Sequence, residues 1–398
     1  MTVENNSECS ESRILLSRRG FIGSATGLFA LSVLPCSAEA RSRGLQSTVV
    51  VILRGGIDGL SALIPLNEPD YESYRPEISN FSSSLHRINS DFALHPSMRN
   101  FADLFVKREL CVFPAVGLPV RTRSHFSCQR NLENGLPTES SSQEGWMARL
   151  LESPALRGGR GLAVGVTPSI FSGTSNVVDW SPTWFVPMRS DVSRVVAEMY
   201  QSSSNGLFRD QLRHQDQWRI LDSLEVPRTI SKTQQAFFGA ARYIKGASSS
   251  VVAVVDVHGW DTHHRQGNSG GRLASILSDL DSSIKVFKDN VGERWASTTV
   301  IFVSEFGRTA RENGTFGTDH GVAFPVFIAG GGIQGGVLGD WAGLRTNALV
   351  DGRDVRPTVD VRSIFKTVLS EQYGVTSRHL DRRVFPASRS ARQLSGIF

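Results

Sequence analysis

Apolar residues in this chain gather in short continuous runs, separated by polar stretches long enough to hold helices. Runs at 47–53, 110–116, 161–166, 251–257 and 298–303 are rich in β-branched residues and lack polar alternation, the pattern of strands buried on both faces. A sixth candidate lies at 325–329. Between these runs, residues 272–290 place Leu273, Ile276, Leu277, Leu280, Ile284 and Phe287 on one helical face. Residues 98–110 and 361–373 show weaker versions, and 190–224 reads as a polar, peripheral helical layer. Strands alternating with helices predict an α/β layered sheet, mainly parallel. There is no internal repeat, and no linker is long enough to force a domain boundary.

The first forty residues stand apart from that pattern. Ser17-Arg18-Arg19-Gly20-Phe21-Ile22 reads as a twin-arginine motif, followed by an apolar stretch to Leu34 and a small-residue cleavage site at Ala38-Glu39-Ala40. The expectation is a signal peptide over 1–40, a mature domain over 41–398, and a periplasmic or otherwise exported protein. The apolar stretch is too short and too rich in small residues for a stable membrane span. Composition is that of an ordinary globular chain, 40% hydrophobic and 20% charged with a net charge of +5. No dense Lys/Arg block appears, so neither a nucleic-acid patch nor a lipid patch is expected. Cys111 and Cys128 are the only cysteines beyond residue 40. They lack metal-motif spacing and read as two buried thiols or one disulfide.

Chemistry-bearing residues cluster where the strand-like runs end. Asp256-Val257-His258-Gly259-Trp260-Asp261-Thr262-His263-His264 packs two Asp and three His just beyond one run. Ligands bind beyond the carboxyl ends of parallel strands, and Asp with His is a ligand set for zinc and similar divalent ions. Adjacent His263 and His264 point in different directions, so both are not expected on one ion. The first run leads into Gly55-Gly56-Ile57-Asp58-Gly59, a tight turn that exposes a carboxylate and lacks the spacing of a phosphate loop. The second leads to Arg121-Thr122-Arg123-Ser124-His125-Phe126. There Ser124 is a candidate nucleophile, and Arg123 an anion clamp by forked hydrogen bonds. Ser304-Glu305-Phe306-Gly307-Arg308 follows the fifth run, offering Glu305 as a ligand and Arg308 as a second clamp. Gly317-Thr318-Asp319-His320-Gly321 adds an Asp-His pair. Two ions about 4 Å apart in such a site could clamp the attacking and leaving oxygens of a phosphoryl or sulfuryl transfer.

At these residues the chain resembles the exported family known as domain of unknown function 1501, of the alkaline phosphatase and sulfatase superfamily. The matching blocks are Leu53-Arg54-Gly55-Gly56-Ile57-Asp58-Gly59, Arg123-Ser124-His125-Phe126, Gly259-Trp260-Asp261-Thr262-His263, Ser304-Glu305-Phe306-Gly307-Arg308-Thr309 and Thr318-Asp319-His320-Gly321. The resemblance implies an alkaline-phosphatase-like three-layer α/β/α sandwich. It also implies one or two divalent ions (zinc, manganese or magnesium), held by Asp58, Asp261, His263 or His264, Glu305 and His320, with Asp319 binding or orienting. Ser124 would attack an ester of phosphate or sulfate, and Arg123 and Arg308 would steady the anion. An exported protein partner is a further implication. The chain departs from the superfamily in two places: no Cys-x-Pro-x-Arg run exists for making formylglycine, and Ser304-Glu305 stands where an Asp-His pair is expected. The rival readings are a non-catalytic metal-binding or surface-assembly protein that keeps the fold, and a Ser124 esterase, which no Gly-x-Ser-x-Gly elbow supports.

Overall fold

The apolar runs become the centre of one large sheet. In the computed structural model, which describes residues 44–165, 169–182 and 224–398 with single positions 195, 198 and 221 between them, that sheet has nine strands. They are β1 (Ser47–Arg54), β5 (Leu110–Gly117), β6 (Arg160–Val164), β7 (Val177–Trp180), β8 (Val251–His258), β9 (Thr298–Val303), β10 (Phe324–Gly330) and two short pieces, β11 (Gly336–Val337) and β12 (Val359–Asp360). The order is β11-β5-β10-β9-β1-β8-β6-β7, with β12 also on β5. All six predicted runs are strands of this sheet. Only β10 runs antiparallel to its neighbours, β5 and β9, so the mainly parallel sheet expected from the sequence is the one observed. Three shorter strands, β2 (Leu63–Pro65), β3 (His86–Arg87) and β4 (Phe92–Leu94), form a separate antiparallel sheet. The expected signal segment and nearly all of 190–224 lie outside the described residues. No helix among the described residues is long and apolar enough to cross a membrane.

Every residue of β9 is buried, and its alternation shows how the sheet is covered. Successive strand side chains point to opposite faces. Phe302 packs on Phe101 and Phe237, from the helices Arg99–Val106 and Lys232–Gly246. Thr299, an odd step away, accepts a hydrogen bond from Gln372 Nε2 at 2.7 Å, on the helix Val361–Tyr373. Helices therefore cover both faces, giving three layers. Each fully buried Val, Ile or Phe contributes about 1.5–3 kcal/mol, which explains why strands with no polar face sit in the middle layer.

Periodicity located the helix Arg272–Val291 almost to the residue, and Val361–Tyr373 in full. It missed Lys232–Gly246, whose buried face is largely Ala and Gly. Gly239 is there because Trp180 lies against it, so that an added Cβ would stand 2.1 Å from the indole. A capping box, Ser231 with Gln234, was the available signal.

Register places the site. Arg54 is level with His258, and Ile52 with Val303, so the loops after β1, β8 and β9 leave the sheet at one edge. Because β10 runs backwards, the whole 304–323 connection stays at that edge. β5 ends there too, with Val116 opposite Phe324, and delivers the helix His125–Asn134.

Candidate metal centre

Four loops meet at this edge, and Arg308 joins three of them. Its side chain is buried and donates to Gly56 O (2.7 Å), Gly55 O (2.5 Å), Trp260 O (3.0 Å), Thr318 O (2.9 Å) and Asp261 Oδ1 (2.5 Å). The turn after β1 can approach so closely because it is glycine. A Cβ on Gly55 (φ 123°) would lie 2.5 Å from Asp261 N, and one on Gly56 (φ 79°) 2.4 Å from the Phe306 ring.

Asp261 is the focus of the site. Partial burial alone would raise its carboxyl pKa, but the Arg308 guanidinium, aided by His263, holds it below the usual range. His263 Nε2 lies 3.0 Å and His320 Nε2 3.3 Å from its Oδ1. His125 Nε2 lies 3.7 Å from Oδ2. The two histidines 263 and 320 face each other, Nε2 to Nε2, at 3.0 Å.

What aims these rings is on their other nitrogens. His320 Nδ1 is 3.0 Å from the Arg123 carbonyl, and His125 Nδ1 is 2.9 Å from Glu305 Oε1. A carbonyl and a carboxylate only accept, so both rings donate at Nδ1 and, when neutral, carry their lone pair on Nε2. His263 Nδ1 points toward Asp319 Oδ1 at 3.6 Å. Ligand atoms of His125, Asp261 and His320 lie within 4.8 Å of one another, a group that could hold a metal ion. The donor set fits: bare imidazole nitrogens and a carboxylate kept ionised, each fixed from behind in the manner of metal-binding histidines. Burial, seconded by Arg308, lowers the His320 pKa and so keeps the ring neutral.

Glu305 is fully buried and also accepts from Gly55 N (2.9 Å) and Gln129 Nε2 (3.0 Å). Burial would raise its pKa, yet hydrogen bonds from His125 and Gln129 prevail and lower it. The same bond is the first cause of the raised pKa of His125. Glu305 thus stands behind His125 as its orienting carboxylate. Glu305→Gln, which keeps the shape and loses the charge, should weaken metal binding by about 10–100-fold, with little change in thermal midpoint, as measured by metal-competition titration.

The structure places the other expected site residues as follows. Asp58 is not brought into the cluster: it is fully buried against Arg75, whose Nη1 and Nη2 reach its two oxygens at 2.7 and 2.9 Å. Ser61 Oγ and Gln266 Nε2 also donate to its Oδ2, each at 2.6 Å. Arg308 is consumed by loop carbonyls and Asp261, and Arg123 by Asp354, so neither expected anion clamp is free. His264 is exposed and turned away, its ring 6.5 Å from that of His263. Asp319 accepts from Asn313 Nδ2 at 3.0 Å and stays behind His263. Ser124 is exposed and caps the helix His125–Asn134 without a side-chain cap bond. His125 is absent from the sequence-derived ligand set. Its signal was its place beside Ser124, where the chain leaves β5 to open a helix. Cys111 and Cys128 are buried free thiols.

A family model described as protein of unknown function (DUF1501) matches residues 46–385. The chain belongs to this family. No curated protein matches it. Solved structures similar to this DUF1501 member include a protein in the alkaline phosphatase superfamily from Vibrio parahaemolyticus, at 12% identity and TM-score 0.40 over 83% of this chain and 67% of that one. Phosphonate monoester hydrolase of Agrobacterium radiobacter matches at 12% identity and TM-score 0.39, over 83% and 74% of the two chains. The C-terminal periplasmic domain of EcEptC from Escherichia coli matches at 8% and 0.41, over 87% of each.

Proposed function

We propose that this DUF1501 member is an exported, metal-dependent hydrolase of phosphate or sulfate esters. In this reading His125, Asp261 and His320 hold a divalent ion and His263 joins them. The observation that carries it is the pair of imidazoles tied at Nδ1 whose Nε2 atoms converge with a carboxylate. A nitrogen-rich set favours zinc over magnesium, with manganese the weaker candidate. One such cluster occurs among the described residues, so the reading needs one ion. When bound, the ion would polarise an ester oxygen and ease loss of a proton from a hydroxyl or water. The chain's own groups do the rest. Arg308 keeps Asp261 charged, Glu305 fixes the His125 ring, and the exposed Ser124 hydroxyl stands next to His125 as the nucleophile. Phe126 and Phe316, the exposed phenylalanines at 82% and 51%, sit beside His125 and in the loop before His320, where they offer apolar surface to a leaving group.

The test is turnover of 4-nitrophenyl phosphate and 4-nitrophenyl sulfate by chain purified without chelator, then stripped and reloaded with zinc or manganese. Activity lost on stripping and restored by one ion is expected. Turnover that survives complete chelation would sink the reading and revive the metal-free esterase.

One observation favours a second reading. With Arg123 and Arg308 both engaged, neither expected guanidinium is available to stabilise charge on a transferring group. A metal-binding protein without ester chemistry, acting with an exported partner, fits that arrangement. Stoichiometric metal with no hydrolysis of either ester would select it.

A further inference from the structure

A strong positive patch lies far along the chain from the metal centre. Arg378, Arg382, Arg383, Arg389 and Arg392 are all exposed. None of their side chains takes part in an ion pair or hydrogen bond among the described residues. The segment from Gly374 to Phe398 contains no Lys and a single acid, Asp381. That acid is withdrawn from the surface balance by Lys366, a buried lysine whose Nζ bonds Asp381. The same Nζ donates to Ser388 O at 2.9 Å and Ala391 O at 2.6 Å.

This knot also assembles the patch. Residues 380–384 form a π-turn, closed by Phe385 N to Leu380 O at 2.7 Å. It continues directly from the short helix Ser377–His379, so Arg378, Arg382 and Arg383 lie on one unbroken helical stretch. Lys366 draws the backbone at Ser388 and Ala391 against Asp381, which brings the stretch carrying Arg389 and Arg392 next to the one carrying Arg382 and Arg383. Spread along the sequence, these arginines do not read as a basic block; the fold makes them one.

The patch carries charge and little else. No large exposed hydrophobic side chain lies between Gly374 and Phe398. A protein interface needs an apolar, aromatic-rich core, and single-stranded nucleic acid needs stacking rings. A sheet of anionic headgroups asks only for dense positive charge. Guanidinium forks match phosphate oxygens in pairs. We infer that this arginine surface docks the protein on the anionic phospholipid headgroups of a bilayer, by electrostatics and without insertion.

The experiment is co-sedimentation of the full chain with vesicles of phosphatidylglycerol and phosphatidylcholine in equal parts, against vesicles of phosphatidylcholine alone. The apolar stretch near the N-terminus is common to all variants, so the readout is the difference between chains. Wild type should partition to the anionic vesicles at low salt and be released as ionic strength shortens the Debye length. The quadruple variant R382Q/R383Q/R389Q/R392Q should partition about six-hundredfold less, at roughly fivefold per arginine, with an unchanged thermal midpoint. Should that variant fail to fold, the double variant R389Q/R392Q takes its place in the same comparison, with partitioning expected to fall roughly twenty-five-fold. Equal partitioning of both chains, salt-insensitive binding, or no sedimentation with anionic vesicles overturns the inference. Preferential binding of wild type to polyglutamate or to DNA also overturns it, and would assign the surface to a protein or a nucleic acid.

Discussion

Asp261→Asn should abolish tight metal binding while leaving the chain folded. Asn keeps an oxygen for Arg308, whose other four hydrogen bonds go to backbone carbonyls, so the loop junction is preserved. What is lost is the only carboxylate among the three converging ligands, and with it the charge that offsets an ion. Replacing a residue that merely orients a ligand costs about 10–100-fold, and loss of the central ligand should exceed that. Two readouts separate binding from folding. Elemental analysis should show stoichiometric zinc or manganese in the wild type and none in the variant. Thermal unfolding should show stabilisation of the wild type by added ion, about 2.7 kcal/mol at a hundred times Kd, and none of the variant. A variant that still gains stability from zinc would move the site elsewhere.

Asp58→Asn should act on stability and leave the metal site intact. Asp58 and Arg75 form an ion pair with both side chains fully buried, and Arg75 also holds Thr309 O and Ala310 O at 2.8 and 2.9 Å. Removing one partner of such a pair strands the other charge and costs about 3–5 kcal/mol. The pH dependence has a definite sign. Burial would raise the Asp58 pKa, but Arg75 overcomes it and lowers the value. A depressed carboxyl contributes stability above its unfolded pKa of about 3.9, lost as pH falls through the lower folded value. The gap between wild type and variant in urea unfolding should therefore be full at neutral pH and narrow only below about pH 4. Equal stability at neutral pH, or loss of metal from folded variant, would restore Asp58 to the role its sequence position suggested.

These two carboxylates show where reading the sequence stops. Both follow a buried strand and a glycine, Asp58 between Ile57 and Gly59 and Asp261 between Trp260 and Thr262, and nothing local says which one faces the site. The difference is the partner. Arg75 is near Asp58 in sequence but in an unremarked turn, whereas Arg308 reaches Gly55 across 253 residues. Sheet, layers and the edge carrying the chemistry were legible because apolar runs report burial directly. That His263 and His264 diverge was legible, but which of the two faces Asp261 was not. Glu305 was read as a ligand from its strand end, and the structure sets it behind His125, since a strand's end reveals that a carboxylate is present and not what stands in front of it. His125 was hidden beside a serine that drew the chemical argument to itself.

The reversed strand β10 has a consequence for how the protein is made. Among the described residues β5, which delivers His125, pairs only with β10, β11 and β12. Its edge ends at Gly117, yet its first partner begins at Phe324. At synthesis rates of about 5–20 residues per second, β5 waits tens of seconds on the ribosome with both edges bare. No fragment ending before residue 324 can seat it. The candidate centre is thus a late product of folding, closed by the last quarter of the chain, and its converging side chains do not meet until translation is nearly over.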